Sequence, residues 1–107
     1  MNEGITQERM EAAMGFLAET DEPYAQAKAD LLRSEILAKR VRARLFMAGE
    51  GSVEARKAAA EAHSEAIAAD DALVAATLTF EALKARRSRA EIVIDVWRSV
   101  EASRRKS

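Results

Sequence analysis

Few side chains in this sequence stand at spacings that chemistry would need. His63-Ser64-Glu65 has the His-x-Glu order in which a zinc deaminase sets a metal ligand beside its acid–base glutamate, but the chain has no cysteine to complete such a site. Glu61 and Glu65 share a helical face, yet no glutamate has a histidine three residues later, as a di-iron bundle site requires. Ser103-Arg104-Arg105-Lys106 has the spacing of a serine–lysine nucleophile, without a companion motif and at an end expected to fray. Gly49-Glu50-Gly51 lacks the lysine and further glycines of a phosphate loop, and Asp70-Asp71 reads as a solvated or ion-paired face. No catalytic residue, metal ligand or cofactor is expected, and the protein is not expected to be an enzyme.

What remains is the chemistry of association. Lys84, Arg86, Arg87, Arg89, Arg98, Arg104 and Arg105 surround an almost purely apolar run over residues 90–100. Ala90, Val93, Ile94, Trp97 and Val100 share one helical face, Ile92 and Val96 widen it, and Glu91, Asp95 and Arg98 form a polar stripe. A helix apolar over so much of its circumference needs several partners. Candidate interface residues are therefore Phe80, Arg87, Ile92, Val93, Ile94, Val96, Trp97 and Val100. Trp97 continues the apolar stripe and reads as a core or interface anchor rather than a base-stacking group. Arg87 falls where a heptad seam expects leucine, so it either snorkels toward acids of the first helix or fixes the register of an oligomer. The basic tracts 39–44 and 84–89 have the charge to bind phosphate, but the net charge of −1 and the lack of interleaved aromatics argue against a nucleic-acid surface there. Arg98, Arg104, Arg105 and Lys106 are the best exposed candidates for nucleic-acid contact.

The elements that must carry these residues are helices. With 107 residues, one proline and four glycines, the chain is expected to form a single domain (1–107) with short connections. Thr6 is placed to cap a first helix over about 6–19, with Met10, Ala13, Met14 and Leu17 on one stripe. Thr20-Asp21-Glu22-Pro23 reads as a break, because proline suits a first turn but not a helix interior. A second helix over about 22–48 has the seam Tyr24, Ala27, Leu31, Ser34, Ala38, Val41, Leu45 and Ala48. Gly49-Glu50-Gly51-Ser52 is a turn, with Ser52 capping a short helix over about 53–62. Ser64 is then read as the cap of a long helix over about 65–104, whose seam is Ala66, Ala69, Leu73, Ala76, Phe80, Leu83, Arg87, Ala90, Ile94 and Trp97. The expected fold is all-α: an elongated, coiled-coil-like antiparallel hairpin with an additional N-terminal helix.

Charge comes in blocks: residues 1–22 hold six acids and one base, 23–49 six bases and two acids, 50–83 seven acids and two bases, and 84–107 eight bases and three acids. Antiparallel pairing sets the basic end of the second helix beside Glu65, Asp70 and Asp71, and the last helix beside Glu8, Glu11, Asp21 and Glu22. Twenty-four residues are alanine and aromatics are 5%, so one copy has a thin core and a homodimer or higher oligomer is expected. Met1-Asn2-Glu3-Gly4 lacks the features of a signal peptide and no apolar run reaches the roughly 18 residues of a span, so a cytoplasmic protein with no membrane role is expected.

Three strings, Glu19-Thr20-Asp21-Glu22-Pro23-Tyr24-Ala25, Gly51-Ser52-Val53-Glu54-Ala55-Arg56 and the run over 90–100, together resemble small helical proteins of tailed phages and prophages. Such proteins are encoded near recombination or replication genes. The resemblance implies a phage accessory role in the host cell and assigns no functional residue. The function expected is non-enzymatic binding of a phage or host protein, or of a nucleoprotein complex, in DNA recombination or replication. Inhibition of a host nuclease or defence complex and direct nucleic-acid binding through the C-terminal bases are the alternatives.

Overall fold

The computed structural model describes residues 5–106 and is built of helices: α1 (Gln7–Ala48), α2 (Val53–Ala62) and α3 (Ser64–Lys106). Met1-Asn2-Glu3-Gly4, and with it the reading of the N-terminus, lies outside the described residues. The fold is an all-α antiparallel helical hairpin. Two compact units divide it, one of Met1–Ala25 with Glu81–Ser107 and one of Gln26–Phe80. No helix among the described residues is long and apolar enough to cross a membrane.

Local sequence sets most of the ends. The Thr6 hydroxyl accepts from the Arg9 N–H at 3.1 Å, so α1 starts where its cap predicts. It stops at Gly49, whose N–H donates to the Phe46 carbonyl at 3.2 Å. Gly51, at φ +95°, makes the reversal in a conformation other residues rarely adopt, and the Ser52 hydroxyl caps α2 by accepting from the Ala55 N–H at 3.1 Å. Between α2 and α3 the cap is His63 rather than Ser64. Ser64 is already helical, and His63 Nδ1 accepts from the Glu65 N–H at 3.0 Å. Imidazole nitrogen does here what the serine hydroxyl was expected to do.

The expected break at residues 20–23 is absent. α1 runs through it with Pro23 inside, so the separate N-terminal helix over 6–19 is the first part of one 42-residue helix. Its seam explains why. Met10, Ala13, Leu17, Thr20, Tyr24, Ala27, Leu31, Ser34, Ala38, Val41 and Leu45 recur at alternating steps of three and four with no change of phase at the proline, and all are buried or half-buried. Pro23 stands off that seam and is exposed, so its missing N–H costs one helical bond without disturbing the packed face.

Within the first unit the helices run antiparallel, with Met10, Ala13, Ala90 and Ile94 as the buried cluster and Ile5, Phe16, Leu17, Val93 and Trp97 packed against it. In the second, the buried residues are Ala27, Ala38, Ala60, Ala66, Ala69 and Phe80. Five of these six are alanines, which bring backbones close but remove little apolar area from water. The basic end of α1 is satisfied there in part as charge patterning predicts: Arg42 donates to Asp70 and Arg44 pairs with Glu65. Arg42 also donates to Glu61 at 2.7 Å, which was not among the expected acids, and Asp71 is exposed.

Candidate docking groove

The apolar run of α3 is only half used within the chain. Ile94 is 8% exposed and belongs to the core, as does Phe80, so these two expected interface residues face inward. Val93 and Trp97 are half-buried against the core cluster. Ile92, Val96 and Val100 are 60%, 41% and 37% exposed. The helical face predicted to need several partners has found one.

Beside these residues lies an open groove of about 660 Å3, entirely within the first unit. Its floor includes Ala13 and Ala90, and its apolar walls are Phe16 with Ala12 on α1 and Val93, Val96 and Ile92 on α3. Three arginines, Arg9, Arg86 and Arg89, complete the lining with Ile5, and no acid does. The Arg86 guanidinium lies over the Phe16 ring, 4.8 Å from its centroid, a cation–π contact that holds one cationic wall in place. Sequence reasoning found the α3 wall but missed Phe16 and Arg9. Their signal was weak: Phe16 immediately precedes seam residue Leu17, as Val93 precedes Ile94, so both fall on the same side of their seams.

Arg87 occupies the seam and resolves as a contact within the chain. It donates to the Leu17 carbonyl at 2.9 Å, to the Thr20 hydroxyl at 2.6 Å and to Asp21 at 2.8 Å, with its guanidinium 4.9 Å from the Tyr24 ring centroid. Of the four acids expected beside the last helix, Asp21 is the one that Arg87 engages; Glu8, Glu11 and Glu22 are exposed. Opposite the proline turn, this arginine fixes the register of α1 against α3.

The candidate nucleic-acid residues Arg98, Arg104, Arg105 and Lys106 are all exposed, and Arg104 pairs with Glu101 one turn back at 2.8 Å. They form a basic helix end rather than a walled site. Among the described residues no group of three or more histidine or carboxylate side chains is placed to hold a metal ion. In the second unit the Arg42 guanidinium, accepted by Asp70 and Glu61, holds the Asp70 carboxyl below the ordinary carboxylate range, and the arginine is itself shifted upward by the same bonds. That cluster is a structural tie between helices. Comparison of the chain with protein-family models, with curated proteins and with solved structures gives no match in any of the three.

Proposed function

We propose that this chain is a non-enzymatic helical binding protein that docks a partner through the arginine-rimmed groove of its first unit. The observation that carries the reading is the groove itself: an apolar trough with Ile92 and Val96 exposed along it, on a chain whose core is mostly alanine. Exposed apolar area of this kind is costly to leave in water, and binding recovers it. The resemblance to small phage proteins supports an accessory role in recombination or replication in a host cell, where the partner is a phage protein, a host protein or a nucleoprotein complex. Self-association fits the thin core and the further exposed apolar residues Leu32, Ile36 and Leu37 on the second unit. Inhibition of a nuclease by an acidic face finds no support in this groove, which is lined by bases. Direct nucleic-acid contact keeps one supporting feature, the exposure of Arg98, Arg104, Arg105 and Lys106.

The test is a photoreactive residue placed at Val96, with one at exposed Asp71 as the control, in cells that express the phage genes. Adducts with another protein at position 96 and none at position 71 are expected, and their identity separates a recombination partner from a host nuclease. Absence of adducts at position 96, or equal adducts at both, removes the reading.

A further inference from the structure

Taking the groove as a docking face, we infer that its occupant is an acidic amphipathic helix of another protein. Shape comes first. The α3 wall from Arg86 to Val96 covers 10 residue steps, about 15 Å or nearly three helical turns at 1.5 Å per residue. The alanines of the floor let a third helix approach closely and lie along the pair, presenting apolar side chains at helical spacing to Phe16, Val93 and Val96.

Charge then selects the occupant. Arg9 stands on one wall and Arg86 and Arg89 on the other, and none of the three forms an ion pair with a carboxylate among the described residues. An uncharged helix seated between them would strip water from three cations and return nothing. Glutamates or aspartates flanking an apolar stripe would meet them from both sides, adding on-rate and orientation to the apolar contact. A second copy of this chain is a poor occupant by the same reasoning. Two-fold apposition sets a patch against itself, so Arg9, Arg86 and Arg89 would face their own equivalents.

A library of amphipathic helices of about 14 residues, with leucines fixed at helical spacing and all flanking positions randomised, is selected on the full-length protein. Acidic flanks should be enriched. By anisotropy, a labelled enriched peptide should bind about tenfold or more weakly to Arg9→Glu/Arg86→Glu/Arg89→Glu, and more weakly as salt rises. Selection on that variant should turn to basic flanks, with circular dichroism confirming that its helices are intact. Neutral or basic flanks on the native protein, or a preference unmoved by the charge reversal, would overturn the inference. If Val96→Asp still abolished that binding, the docking reading would stand without it. Three further results also overturn it: a dimer in sedimentation that Val96→Asp dissociates, which assigns the groove to a second copy; phosphatidylglycerol vesicle binding lost in that variant, which assigns it to lipid; and no enrichment together with no adduct at position 96, which removes both proposals.

Discussion

Replacing Arg87 by alanine should destabilise the protein by about 2–3 kcal/mol, as the sum of contacts of unequal value. The bonds to the Leu17 carbonyl and the Thr20 hydroxyl are partly buried, and each contributes about 1 kcal/mol net. Asp21 is 69% exposed in its side chain, so that pair adds no more than about 0.5 kcal/mol, and the Tyr24 ring contact adds a similar amount. No large penalty for an orphaned group is expected. The Leu17 carbonyl keeps its helical partner, and the Thr20 hydroxyl still donates to the Phe16 carbonyl at 2.7 Å. Arg87→Leu should lose less, within about 1.5 kcal/mol of the native chain, because leucine at a seam position buries apolar area in place of the lost bonds. Urea unfolding followed by far-ultraviolet circular dichroism gives the three stabilities, and a double-mutant cycle with Thr20→Val should give a coupling of about 1 kcal/mol. A loss under about 0.5 kcal/mol for Arg87→Ala, or no coupling to Thr20, would show that Arg87 is a solvated surface charge and that register is set elsewhere.

Pro23→Ala restores an N–H inside a continuous helix and should stabilise by about 1–3 kcal/mol, read as a rise in thermal midpoint; a fall would mean the proline fixes a bend the packing needs. Ile94→Ala should cost about 2–4 kcal/mol and Ile92→Ala under about 0.5 kcal/mol, and equal losses would contradict the phase assigned to α3. Because the folded value of Asp70 is depressed, its contribution is present above the ordinary carboxylate range and is lost as pH falls through the lowered folded value. The native chain should therefore be more stable than Asp70→Asn at pH 7 and converge with it at strongly acidic pH, whereas a pH-independent difference in chemical unfolding would sink the claim.

The α3 seam was fully legible: every one of the ten positions from Ala66 to Trp97 is buried or half-buried. The reason is that a heptad pattern is a property of one helix and is carried by its own residues. The α1 seam is legible in two pieces that Pro23 does not in fact divide, except that Ala48, expected on the seam, is exposed at the helix end. Helix propensity is local, but the phase shared by Leu17, Thr20 and Tyr24 is the stronger constraint, since a break would have removed Met10 and Ala13 from their contact with Ala90 and Ile94. Met14, assigned to the first stripe, is 50% exposed because that stripe was read without the phase of the residues beyond the proline. The groove was half legible for a different reason. Residues 90–100 announce an apolar face, but which α1 residues stand opposite depends on interhelical register, which no single stretch of sequence contains.

The two flanks of the seam in the first unit are unlike, and the difference directs docking to one side. The flank that follows the seam carries Asp21 on α1 and Lys84, Glu91 and Arg98 on α3, so a helix laid there would have to desolvate charges of both signs. On the flank that precedes it, Phe16 and Val93 replace charges, Glu19 stands outside the groove, and the charges that line the groove are the cations Arg9, Arg86 and Arg89. An apolar stripe bordered by acid is compatible with that second flank alone. Val93→Lys should therefore abolish docking while leaving stability within about 1 kcal/mol, because Val93 is half-buried at the groove's edge and a lysine stem can lie along the apolar wall with its ammonium in water. Circular dichroism together with peptide anisotropy separates the two effects. Undiminished binding of the acidic peptide to Val93→Lys would show that the occupied surface lies elsewhere.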